Sequence, residues 1–146
     1  MTIRTQLIPR IVVKLQALSS VGSVYDHNVS ESKGSGNETI AVYMPVHEAT
    51  AESSSKVQVE AQLKIKLISK SKTSAEEHGV KLQMIEDVIE SFIDDEIETP
   101  SGSNYSTINV SPPDIETDDT EDRDRPLSIM TFIIRYEYLR GQANVK

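Results

Sequence analysis

Between Lys56 and Leu67 apolar and polar residues alternate without a break. Val57, Val59, Ala61, Leu63, Ile65 and Leu67 stand against Lys56, Gln58, Glu60, Gln62, Lys64 and Lys66. A period of two over about twelve residues predicts a half-buried β-strand, because successive side chains on a strand point to opposite faces. At about 3.3 Å per residue the strand reaches roughly 40 Å, beyond the usual five or six residues. In a chain of 146 residues this implies a sheet projecting past its own core, as in a building block rather than a self-contained enzyme.

Elsewhere the period changes. Ile3, Leu7, Ile11, Leu15 and Leu18 recur every three or four positions, which predicts a helix over 3–18. Pro9 removes a donor and crowds the preceding turn, so a kink or a start near Ile8 is expected, with Gly22 as a left-handed stop. Ser74 and Glu77 make a capping box. Behind it, Val80, Met84, Val88 and Phe92, flanked by Ile85, Ile89 and Ile93, predict a second helix to about Asp95. Further strands are expected at Val24–His27, Ile40–Glu48, Tyr105–Val110 and Leu127–Leu139, and Pro45 in the second of these marks an edge or a bulge. Apolar residues on both faces at 129–134 predict that the last strand is central and covered on both sides. The expected core is Val80, Met84, Val88, Phe92, Leu63, Ile65, Phe132 and Ile134. The fold class is α+β: a mainly antiparallel sheet with two helices packed on one face. The length fits one domain, 1–146, with flexible loops at about 30–39 and 111–126.

Composition narrows the function classes. There is no cysteine, which excludes disulfides, thiolate metal sites and cysteine catalysis. The N-terminal residues carry Arg4 and Arg10 but no apolar run leading to a small-residue cleavage site, so no signal peptide is expected. No apolar stretch approaches the roughly 18 residues of a membrane span, and no membrane partner is expected. The Asn-x-Ser/Thr triplets at Asn28, Asn37, Asn104 and Asn109 then read as chance matches. Charge is segregated. Residues 86–124 hold fourteen acids and one base, Arg123, a net of −13, while the rest holds fourteen bases and nine acids, a net of +5. Such an acidic block repels phosphate and argues against gripping nucleic acid there. Seven of its carboxylates lie in 114–124, a loop expected to stay mobile through self-repulsion.

No arrangement of residues assembles a catalytic site. Laid on a calcium loop starting at Asp114, the chain places Asp119 where glycine is needed and Arg125 where a bidentate Glu is needed. His27, His47 and His78 fit no metal spacing and read as ordinary polar residues, with His78 exposed in the first turn of the capped helix. Gly34-Ser-Gly36 lacks the lysine and the strand-to-helix setting of a phosphate loop, and no serine sits in a Gly-x-Ser-x-Gly elbow. No catalytic residue, metal or cofactor is expected.

Three segments carry a resemblance. Ile3-Arg4-Thr5-Gln6-Leu7-Ile8-Pro9-Arg10-Ile11-Val12-Val13-Lys14-Leu15 leads into Val21-Gly22-Ser23-Val24-Tyr25-Asp26. The capped helix 74–95 follows the long strand, and the chain closes on Ile129-Met130-Thr131-Phe132-Ile133-Ile134-Arg135-Tyr136-Glu137-Tyr138-Leu139-Arg140. This order resembles the tail terminator (tail-completion) proteins of long-tailed bacteriophages, over nearly the whole chain. The loop 30–39 and the acidic loop 111–126 have no counterpart, and Pro9 is unexpected. The resemblance implies a virion protein assembled in the host cytoplasm: a hexameric ring on the tail tube that stops tube growth and joins the head. Its partners would be further copies of itself, the tail tube protein and a head-completion or neck protein, with DNA passing through the lumen without specific binding. The residues expected to serve these contacts are Lys56, Gln58, Glu60, Lys64 and Lys66 on the long strand, joining neighbours through backbone edges and ion pairs, and Asp118, Asp119 and Asp122 facing the DNA path. A head-completion or neck ring is the near alternative, and a small α+β ligand-binding or enzyme domain the distant one.

Overall fold

The computed structural model describes residues 3–18, 23–29, 38–53, 55–93, 105–118 and 125–139. The chain runs α1 (Ile3–Gln16), β1 (Ser23–Tyr25), β2 (Thr39–Glu52), β3 (Lys56–Ile68), α2 (Ala75–Phe92), β4 (Tyr105–Val110), β5 (Asp114–Asp118) and β6 (Leu127–Leu139). This is an α+β fold, and the described strands form one sheet that is antiparallel except where β1 lies parallel to β2. The expected stop at Gly22, residues 30–37, Asp95, Asp119, Asp122 and the tail 141–146 lie outside the described residues.

The alternation along β3 forms the strand it predicts. Val57, Val59, Ala61, Leu63, Ile65 and Leu67 are buried, and the intervening polar residues are exposed or half-buried. The strand order is β1-β2-β3-β6-β4, with β5 also on β6. Both edges of β3 are occupied, by β2 from Thr39↔Ile68 to Glu52↔Val57 and by β6 from Lys56↔Leu139 to Ile68↔Leu127. On the far edge of β6, β4 pairs with Ile134–Tyr138 and β5 with Leu127–Thr131, and the Ser111 N–H donating to the Ile133 carbonyl at 2.9 Å carries the ladder between them. Pro45 marks both an edge and a bulge: it lies past the end of β1, where the β2–β3 register shifts between Tyr43 and Val46.

The last strand, β6, is central as expected but not covered on both sides. Ser128, Met130, Phe132, Ile134 and Tyr136 are buried, whereas Ile129, Thr131, Ile133 and Arg135 are only half-buried. Ile129 lies opposite Lys66, and a lysine stem covers apolar surface while its ammonium stays wet, so no second layer is needed there.

The helices supply the single covering layer. Leu7, Ile11 and Leu15 of α1 are fully buried. Their burial, worth about 1.5–3 kcal/mol each, offsets the roughly 3 kcal/mol of an interior proline. One helix therefore runs from Ile3 through Pro9, rather than starting near Ile8. At the start of α2, the Glu77 N–H donates to the Ser74 hydroxyl at 3.2 Å, as a capping box requires. Its buried stripe is His78, Ile85, Ile89 and Phe92. This corrects the expected core: Val80 is 58% exposed and Met84 and Val88 are half-buried. At 3.6 residues per turn Val80 points about 140° away from Ile85, so the two cannot both face the sheet. Leu63, Ile65, Phe92, Phe132 and Ile134 belong to one buried core with Ile85 and Ile89, as expected. The Arg10 guanidinium lies 6.0 Å from the centre of the Phe92 ring, and Lys81 pairs with Glu38 at 3.1 Å, which ties α2 to α1 and to the start of β2.

Candidate functional site

The face of the sheet turned away from the helices carries the polar positions of β3, and the structure gives each a neighbour across the ladder. Lys56 lies 3.4 Å from Glu137. Arg135 donates to Glu60 through Nε at 3.1 Å, and through Nη1 to Asn109 at 3.3 Å and Ser111 at 3.5 Å. Lys64 donates to the Thr131 hydroxyl at 3.2 Å, and Lys66 to Asn28 at 2.8 Å and the Val29 carbonyl at 3.1 Å. Gln58 is exposed and sits between Ala51 and Glu137. Half-buried Tyr43, Val46, Ile129 and Ile133 lie among them, and burial pushes the Tyr43 phenol above its ordinary range. The expected interaction residues of β3 thus share one face.

Their backbone edges are not available. Both are filled by β2 and β6, which corrects the expectation that β3 joins neighbours through its own edges. Among the described residues, the open edges are the outer side of the three-residue β1, β2 beyond Ala41, and the outer side of β4 and β5. Each is guarded. β1 is short. β2 carries Pro45 and its register shift, and β4 a shift between Thr107 and Asn109, while β5 carries Asp114, Glu116 and Asp118. Short strands, proline, bulges and charge are the usual devices that stop strand addition.

The acidic stretch is not wholly a loop: Asp114–Asp118 is a strand paired with β6, with all five residues exposed. Composition argued for a mobile loop, but ladder hydrogen bonds are made by backbone and leave acidic side chains in water. The register sets Lys64, Thr131 and Asp114 in one row and Lys66, Ile129 and Glu116 in the next. Acid and base in a row are two strands apart, about 10 Å at the usual strand spacing. The open face therefore bears a basic stripe on β3 and an acidic stripe on β5. Asp118 ends the acidic stripe.

A buried polar cluster around His78 lies outside the sequence expectations. His78 is 2% exposed, not a surface residue of the first turn. Its Nδ1 lies 2.5 Å from the Ser69 hydroxyl and its Nε2 2.7 Å from the Ser128 hydroxyl, and both serines are buried. Ser128 in turn lies 2.7 Å from the hydroxyl of exposed Thr117 on β5. Arg125, also buried, donates through Nε to the Ser69 carbonyl at 2.9 Å. A signal was present in the sequence: 78, 85, 89 and 92 share one helical stripe, and a buried imidazole needs hydroxyl or carbonyl partners. His47 bonds to the Tyr136 hydroxyl. His27 bonds to Asp26 at 2.9 Å, and that hydrogen bond holds the Asp26 carboxyl below its ordinary range.

Among the described residues no group of three or more His, Cys, Asp or Glu could hold a metal ion. No helix among them is long and apolar enough to cross a membrane. A scan against protein-family models and a search of curated proteins both found no match.

Proposed function

We propose that the protein is a structural part of a phage virion, not a catalyst: a six-fold ring at the head-proximal end of the tail tube. There it ends tube polymerisation and presents the surface that joins the head. The reading rests on the element order that resembles tail terminators, an amphipathic helix leading into a strand, a long strand, a capped helix and a closing strand rich in aromatic residues, Thr, Arg and Glu. Its partners are copies of this chain, the tail tube protein and a head-completion or neck protein, with DNA sliding through the lumen.

The observation that carries it is the charge layout of the open face. A ring closes through heterologous contacts, in which one surface of each subunit meets a different surface of the next. The basic stripe of Lys64 and Lys66 and the acidic stripe of Asp114 and Glu116 are two such surfaces, opposite in sign, on one subunit. The guarded edges suit the same use, because they keep a free subunit from polymerising by strand addition before it meets a tube. The exposed acids repel phosphate, which lets DNA pass without sticking.

The test is to add the purified protein to polymerising tail tube protein and image the products by electron microscopy. The reading expects tubes that stop lengthening and carry a ring at one end. Tubes that lengthen unchanged would overturn it, and a ring bound to portal or neck instead would assign the protein to the head side.

A further inference from the structure

The chain Thr117–Ser128–His78–Ser69 runs from an exposed edge strand into the core and ends on a titratable ring. We propose that His78 is a proton-controlled latch on β5: neutral, it sits sealed behind Ser128 and Thr117 with the strand closed, and on taking up a proton it becomes a buried charge that is relieved by releasing the strand. The inference is independent of the ring reading.

A neutral imidazole offers one donor and one acceptor nitrogen, and hydroxyls both give and take, so every link of the chain is satisfied. A proton on His78 turns both nitrogens into donors. Ser69 and Ser128 then accept, and Ser128 gives its own proton to Thr117. The hydrogen bonds survive this reversal, but the charge is badly placed. It would sit on a ring that is 2% exposed, and taking a charge out of water is costly. It would lie at the positive end of α2, in the first turn, where a cation is disfavoured. It would also face Arg125, whose guanidinium is bonded to the carbonyl of the same Ser69 that holds Nδ1.

These three effects share one sign. Among the described residues, the other charged groups near the site are Asp118 at the end of β5, Lys70 after β3, and Glu77 and Lys81 on α2. Lys81 is paired with Glu38. Of these, Asp118 and Glu77 favour a cation, but Glu77 and Lys70 are exposed and act through water, where their effect is weak.

Relief comes from letting water in, and β5 is where that costs least. All five of its residues are exposed, and its one large apolar side chain, Ile115, is 42% exposed. Elements with little buried apolar surface open before the rest of a fold. Detaching β5 uncovers Ser128 and gives an imidazolium a path to solvent. The moving piece carries Asp114, Glu116 and Asp118, so the latch also sets where the acidic stripe lies.

Hydrogen exchange of the Asp114–Asp118 amides, corrected for intrinsic rates, tests this between about pH 7.5 and about pH 5.5, where His titrates and most carboxylates stay ionised. The latch expects β5 protection to fall by up to about tenfold per pH unit once opening takes up one proton, with β3 protection unchanged. In His78→Gln, which cannot titrate, the pH slope in β5 should vanish, while His27→Gln and His47→Gln should keep it. If His78→Gln does not fold, Thr117→Val serves: β5 protection should already be several-fold lower at about pH 7.5, with the pH slope kept, because His78 still takes up its proton on opening. A slope that persists in His78→Gln, Thr117→Val protection equal to the parent's, or a His78 ring that NMR shows protonated while β5 stays protected would overturn the proposal.

Discussion

The two faces of β3 have the same backbone and opposite roles. Toward the helices, Val57, Val59, Ala61, Leu63, Ile65 and Leu67 are each at most 5% exposed. Away from them, no residue from Lys56 to Lys66 is buried, and the side chains pair across the ladder with Glu137, Arg135 and Thr131. The first face holds the fold together through area removed from water. Pairings on the second are exposed or half-exposed, and such ion pairs are worth about 0.2–1 kcal/mol. They are cheap to exchange for a neighbour's groups. Stability is thus carried by one set of alternate residues of the strand and the proposed assembly contacts by the other, so each set should be alterable with little effect on the other.

The largest losses of stability should come from damage to the covered face. Phe92→Ala should cost about 3–5 kcal/mol, and Ile89→Ala about 2–5, in denaturant melts. Losses below about 1 kcal/mol would mean that α2 does not seal the core. Removing the cap by Ser74→Ala should cost about 1 kcal/mol, read the same way. On the open face, a double-mutant cycle of Glu60→Ala and Arg135→Ala should give a coupling of about 0.2–1 kcal/mol that shrinks in high salt. A larger, salt-insensitive coupling would make this face structural. Val80→Ala should move stability by no more than about 0.5 kcal/mol, because the side chain is 58% exposed. Smallest of all should be the effect on folding of replacing Asp118, Asp119 and Asp122 by Asn, since the change relieves repulsion among like charges. Its consequence belongs in particle assembly and should weaken as salt rises.

Where pattern alone decides structure, the sequence was readable. The period of two located β3 and its buried face, and Ser74 with Glu77 marked the start of α2. Pro45 announced a bulge that is also an open edge. Errors arose where neighbours in space decide. Val80 was placed in the core and His78 outside it because valine is apolar and histidine polar. The helix settled the matter by aligning His78 with Ile85, Ile89 and Phe92, and Ser69 and Ser128, nine and fifty residues from it, made its burial affordable. The acids of β5 hid a strand because pairing is a backbone property supplied by β6. Ile129 and Ile133 suggested a second covering layer where lysine and glutamine neighbours suffice. Of the open face, the polar positions of β3 could be read from the alternation, whereas Asp114 and Glu116 were not singled out and Asp119 and Asp122 lie outside the described residues. The rows that set Lys64 against Asp114 and Lys66 against Glu116 could not be read, because register is fixed by partners distant in the chain.

The proposed function requires this chain to form a closed ring where tail meets head. A three-dimensional reconstruction of the head–tail junction of the virion that carries it tests that most directly. The ring should show six copies on the head-proximal end of the tube, with the helices outside the subunit contacts made by the open sheet face and with the acidic stretch at the lumen or the rim. A junction without this chain in a ring, or copies whose acidic residues are clamped around an ion or against arginines of their own subunit, would contradict it.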